Sequence, residues 1–262
     1  MRTLIAMMLI SSCLSASAQI VNTGRHRGLF TPTGTTNHAR QFNGTSDSLQ
    51  SASPLSSLSG VGTVSLAFWM YWDAFANNDE LAFESSANYN SNNGAFLVDP
   101  NTSGGGGVSA GVFQYSVNLA GAGVHLDCAF TRPSAAAWHQ YVLILDATSG
   151  SCGAYVDGAV PSGLTTVNSH TGTFSSQTLN VMSRNNASLF GAGRMSEISV
   201  FSGTINSSDA SLLAACGRPT SVSSASLLYY WPINQTSPET PTTGGINLTV
   251  NGTTNVASLC SF

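Results

Sequence analysis

The chain of 262 residues contains no lysine, and charged residues make up only 8% of it. Eight basic residues, all arginine, stand against twelve acidic ones, for a net charge of -4. Without a basic patch, nucleic acid and anionic membrane surfaces are excluded as partners. The sequence has no Cys-x-x-Cys or Cys/His cluster to hold zinc and no Gly-x-Ser-x-Gly elbow for a serine hydrolase. No apolar run is long enough to span a bilayer. Hydrophobic residues form 42% of the chain, which is enough for a full core and too many for a disordered protein. With so few charges, the surface must be dressed in Ser, Thr, Asn, Gln and Gly, as suits an extracellular protein.

The N-terminus carries a targeting pattern. Arg2 precedes an apolar stretch from Leu4 to Ile10, and Ala16-Ser17-Ala18 offers a small-residue cleavage site before Gln19. Residues 1–18 therefore read as a signal peptide, and the product as secreted, extracellular or periplasmic. Ile10-Ser11-Ser12-Cys13 resembles a bacterial lipobox, with a lipid anchor through Cys13 as the alternative. Residues 19–38 read as an extended polar arm and 39–262 as one domain.

Beyond Cys13 four cysteines remain, Cys128, Cys152, Cys216 and Cys260. An even number in an exported chain predicts two disulfides, with three possible connectivities. Sequence proximity favours Cys128–Cys152 and Cys216–Cys260. A strand expected over 139–146 lies between the first two, and bridged Cα atoms must come within about 7 Å. That pair therefore requires one of its cysteines to sit in a loop.

The periodicity is that of strands. Val64, Leu66, Phe68, Met70 and Trp72 fall on one face of a strand over 61–73, and Ser65, Ala67, Trp69, Tyr71 and Asp73 on the other. Further strands are expected over 40–50 (with a bend at Asn43-Gly44), 80–84, 94–99, 108–117, 124–130, 138–146, 152–156, 179–182, 194–201, 227–231 and 246–250. One helix is expected over 207–216, with Asn206 as N-cap, Asp209 completing an approximate capping box, and Gly217 and Pro219 ending it. Many short strands and one terminal helix describe an all-β, two-sheet antiparallel sandwich.

Five pieces carry a resemblance when taken in order. They are Phe42-Asn43-Gly44-Thr45-Ser46-Asp47, Val64 to Met70, Trp138-His139, Tyr155-Val156-Asp157-Gly158, and Gly193 to Ile198. Together they resemble the laminin G-like, or concanavalin A-like, jelly-roll domains, from about Ala39 to the C-terminus. Tyr230-Trp231-Pro232-Ile233 resembles the closing strand often found after the helix. The resemblance implies a jelly roll, a binding role and, in many members, a calcium ion held by carboxylates. Here Asn43 and Ser196 stand where acidic residues are usual, which leaves Asp47 as the candidate calcium ligand beside its alternative role as a turn cap.

Sugar rings stack on flat side chains while polar neighbours bond their hydroxyls. Trp69 and Tyr71, on the non-core face, are the candidate platform for carbohydrate or a glycosylated surface protein, unless the helix 207–216 or a loop covers them. Tyr89, in the Asn88 to Asn93 loop, is a second candidate rim. For catalysis, Glu80 and Glu84 share a strand face in the expected strand 80–84, but the Glu-x-Asp-x-x-Glu pattern of glucanases with this fold is missing. A non-catalytic binding module is the leading expectation, and a structural or adhesive fibre component the alternative.

Overall fold

A computed structural model describes residues 38–120 and 123–260. The expected signal peptide over 1–18, Cys13 and the expected arm up to residue 37 lie outside the described residues.

In chain order the strands begin with β1 (Ala39–Asn43), β2 (Ser48–Ser51), β3 (Thr63–Trp72), β4 (Phe83–Glu84) and β5 (Ala95–Asp99). There follow β6 (Phe113–Asn118), β7 (His125–Phe130), β8 (Trp138–Asp146), β9 (Ser151–Val156) and β10 (Thr165–Asn168). Next come β11 (Asn180–Val181), β12 (Ala192–Ser202), helix α1 (Ser207–Ala214), β13 (Ser226–Trp231), β14 (Leu248–Asn251) and β15 (Thr254–Val256). A seven-stranded sheet runs β15-β1-β12-β3-β8-β9, with β13 also paired to β12. An eight-stranded sheet runs β10-β7-β6-β5-β4-β11-β2-β14.

The core lies between the sheets. Val64, Leu66, Phe68, Met70 and Trp72 of β3 are all buried there, as their spacing predicts. The eight-stranded sheet answers with Phe83, Phe96, Val98, Phe113, Tyr115 and Val117. Phe113 stacks on Tyr141 of the other sheet at 5.2 Å and on Phe130 at 4.6 Å, so aromatic faces join the two layers.

Several expectations are corrected. The stretch 40–50 is not one strand: β1 belongs to one sheet and β2 to the other. Asn43 Oδ1 accepts the amides of Thr45, Ser46 and Asp47, and Gly44 takes φ +73°, so the loop turns the chain across the sandwich edge. The strand expected from 108 begins only at Phe113, because Gly104 to Gly107 all take positive φ and a Gly105–Val108 bridge holds the preceding residues in a loop. The strand over 80–84 shrinks to Phe83–Glu84. The helix ends at Ala214, and its N-cap is one-sided: Asn206 Oδ1 accepts from the Asp209 amide, while Asp209 Oδ2 turns to the amides of Ser223 and Ser224.

Both disulfides form as paired by proximity, Cys128–Cys152 and Cys216–Cys260. The requirement for a loop cysteine does not hold. Cys128 is on β7 and Cys152 on β9, strands of different sheets, and the bridge crosses between them with Cα atoms 5.8 Å apart. β10 and β15, half-exposed or exposed along most of their length, were not legible in the sequence.

Candidate functional site

Under α1 the outward face of the seven-stranded sheet is closed. Ala67, Val142, Ile144 and Phe201 on that face pack with Ile205, Ala210 and Leu213 in a second apolar cluster under α1. Trp69 is only 6% exposed, and Leu213, Gly217 and Pro219 surround the same small void. Its indole therefore has no face free to stack on a sugar ring, which corrects the expected platform. The physical reason is the cap: the helix and the turn after it bring their own apolar residues onto this face. Tyr71 is half-buried, with the Arg194 guanidinium 4.5 Å over its ring and Trp138 at its edge, 5.9 Å away. Glu197, at φ +53° in a bulge of β12, lies beneath the same cap and accepts a short bond from the Tyr230 hydroxyl.

The outward face of the eight-stranded sheet is different. Register aligns Thr249, Gln50, Asn180, Glu84, Leu97, Ser116, Asp127 and Asn168 in one row across all eight strands. Every residue of the row except Leu97 is polar, because its strand neighbours already supply the core. Gln50 donates to Asn180 at 2.7 Å, and Asn168 to Asp127 at 2.6 Å.

Above β5, β6 and β7 this row opens into a groove of about 490 Å³. Its walls carry Asp79, Asp99, Asp127, Gln114, His125, Arg184 and Tyr89, with Leu81, Leu97 and Leu189 as apolar patches. Gly104, Gly105 and Gly106 form one rim, pinned where Asn168 Nδ2 donates to the Gly106 carbonyl at 2.7 Å. At Gly104 an added Cβ would lie 2.9 Å from the Val108 carbonyl, so glycine is needed there for contact as well as for φ.

Tyr89, alone of the three aromatic candidates, reaches the groove. Its loop is fixed from below: the Tyr89 amide donates to Glu84 Oε1 at 2.5 Å, and Asn118 Nδ2 donates to its carbonyl at 2.8 Å. The ring leans on His125 at 5.2 Å. The residue is 3% exposed with its hydroxyl facing the Ser116 side chain, and His125 Nε2 makes no hydrogen bond. Ser116, a polar neighbour of that hydroxyl, takes a bond from Gln114 Nε2 at 3.0 Å. Burial, with the charges of Asp127 and Glu84, pushes the Tyr89 phenol well above its usual range, so it stays neutral.

Burial lifts the Asp99 carboxyl to about 7. The Asn101 amide opposes that rise, and neighbouring Asp79 adds to it. Asp99 therefore holds its proton to a higher pH than an ordinary carboxyl does. Arg184 Nε is held by Glu84 Oε2 at 2.7 Å, which commits its charge.

The other candidates are placed elsewhere. Glu84 is fully buried with both oxygens engaged, and Glu80 accepts from Asn77 outside the short β4, so the two do not form a catalytic pair. Asp47 caps its turn: its carboxylate accepts from the Asn43 amide and the Ser46 hydroxyl, and a Cβ at Gly252 would lie 2.2 Å from its Oδ1, which keeps that position glycine. Calcium needs about 6–8 oxygens. Among the described residues no group of three or more His, Cys, Asp or Glu gathers to hold a metal. His125 and His170 are linked through His170 Nδ1 and the His125 carbonyl at 2.8 Å. The groove's aspartates were missed. Their signal was the alternation of Gln114 and Ser116 against Phe113, Tyr115 and Val117, which marks an outward polar face but not its neighbours.

No protein-family model and no curated protein matches the chain. Solved structures do. A heptameric SAP-like pentraxin from Limulus polyphemus aligns with 87% of this chain and 98% of its own, at 14% identity and a TM-score of 0.53. A protein from Bacteroides ovatus, described as a candidate carbohydrate binding protein, aligns with 86% of this chain at 17% identity and a TM-score of 0.56. This chain spans 61% of that second protein. Identities this low speak for the fold alone, and the fold is the two-sheet jelly roll that the resemblance to laminin G-like and concanavalin A-like domains implies.

Proposed function

We propose that the protein is an exported, non-catalytic binding module that holds carbohydrate, free or on a glycosylated surface protein, in the groove above β5, β6 and β7. The groove itself carries the reading. Its aspartates accept hydrogen bonds from sugar hydroxyls, and Leu81, Leu97 and Leu189 cover the apolar C–H faces. The Bacteroides ovatus protein, with its carbohydrate-binding description, supports the same reading.

Two observations favour binding over hydrolysis. Glu84 is spent on Arg184 and the Tyr89 amide. Asp79 and Asp99 lie within hydrogen-bonding reach of each other, closer than the roughly 5–10 Å at which glycosidase carboxyls flank a sugar bond. Export is supported by the two disulfides, which persist in oxidising compartments. Among the described residues no helix is long and apolar enough to cross a membrane.

A glycan array with the wild type and Asp127→Ala tests the proposal. Wild-type binding to a defined set of glycans, weakened about tenfold or more by the substitution, is expected. Absence of any glycan binding by folded wild type, or binding indifferent to Asp127, overturns it.

A further inference from the structure

Resting on the groove reading above, we propose that the favoured ligand is basic: a saccharide bearing protonated amines, in preference to its neutral or acidic counterparts. The walls carry Asp79, Asp99 and Asp127. Their fixed positive charge is Arg184, already paired with Glu84 at 2.7 Å. The wall charge therefore stays negative even with Asp99 protonated.

Hydrogen-bonding capacity leans the same way. Three side-chain donors near the groove are occupied: Gln114 Nε2 on Ser116, Asn168 Nδ2 on Asp127 and Gly106, and Arg184 Nε on Glu84. Acceptors are left over. The Asp79, Asp99 and Asp127 side chains, when ionised, are acceptors only, and His125 Nε2 is unbonded. An ammonium group brings three donors and no acceptor, which suits such a wall. A carboxylate or sulfate brings only acceptors and a repelled charge. A hydroxyl is intermediate, giving and needing one of each.

The test is calorimetric titration at mildly acidic pH with four probes: a glucosamine oligomer, its fully N-acetylated form, a uronate oligomer and spermine. The free-amine oligomer is expected to bind about tenfold tighter than the acetylated one. That advantage should shrink as salt rises from about 0.05 to about 0.5 M. It should also be lost in Asp127→Asn and in Asp79→Asn; the half-exposed Asp79 guards against a folding defect at the more buried Asp127. Equal or tighter binding of the acetylated or uronate oligomer overturns the preference for amines and leaves the carbohydrate reading standing. If no saccharide of any charge binds, the carbohydrate reading falls as well. Binding of spermine alone would keep the cation preference and remove the sugar.

Discussion

On the outer side of the seven-stranded sheet, Trp69 is 6% exposed beneath α1 and its following turn. On the outer side of the eight-stranded sheet, a polar row leads into an open groove with Tyr89 in its wall. Both faces come from alternating strands, and both carry an aromatic side chain where a solvated face would not need one. What separates them is the covering element. α1 presents Ala210 and Leu213, so the first face becomes a second apolar layer. The loops at 85–94 and 101–112 present amides, hydroxyls and glycines, and Asp79, Asp99 and Asp127 line the groove beside them, so the second remains a polar cleft. An outward aromatic in a sandwich therefore does not mark a binding surface until the chemistry of its cover is known.

The comparison is best broken by substituting each face in turn. Trp69→Ala should have the largest effect, destabilising the domain by about 3–5 kcal/mol in urea denaturation through loss of buried indole contacts. Ligand affinity of the remaining folded protein should not change; a small stability loss together with lost binding would restore Trp69 as a contact residue.

The disulfides come next, one serving each region. Cys128–Cys152 ties the groove's sheet to its partner across 24 residues, and Cys216–Cys260 anchors the segment after α1 across 44. Replacing either pair with serine should cost about 3–4 kcal/mol on chain-entropy grounds, with the longer closure costing slightly more. Only the loss of Cys216–Cys260 should raise hydrogen exchange around Trp69. Equal loosening of both faces would show that the cap has no separate anchor.

Leu97→Ala, in the groove wall, should change stability by no more than about 1 kcal/mol while weakening ligand binding several-fold, because Leu97 is half-buried outside the main core. Unaltered binding would shift the ligand away from β5.

A last test is a pH dependence shared by both faces. Burial raises Asp99 in the groove and Glu197 under the cap to about 7 each, against an unfolded value of about 4. Their folded forms hold protons that the unfolded chain releases. Stability should therefore fall as pH rises from about 4 to about 7 and level off above that. His139 adds in the same direction: its bond to Asp157 raises its pKa, so its contribution is present at low pH and lost as pH rises through the folded value. Thermal melts at about pH 5 and about pH 8 should show a higher Tm at the lower value. Asp99→Asn and Glu197→Gln should each reduce the difference; no change in either would mean that these carboxyls are already ionised in the fold.

The sequence by itself determined the inward half of β3 and the helix with its Asn206 cap, and by proximity alone it favoured the two disulfide pairs that form. A period of two and a short polar cap are local properties, written within a few residues. It did not determine that β1 and β2 part to different sheets, or that α1 covers Trp69. Nor did it bring Asp79, Asp99, Asp127 and Arg184 to one groove across more than a hundred residues of chain. Those outcomes depend on which strands become neighbours and which loops lie over them. Long-range packing decides that through the summed burial of side chains from both sheets, and no single stretch encodes it.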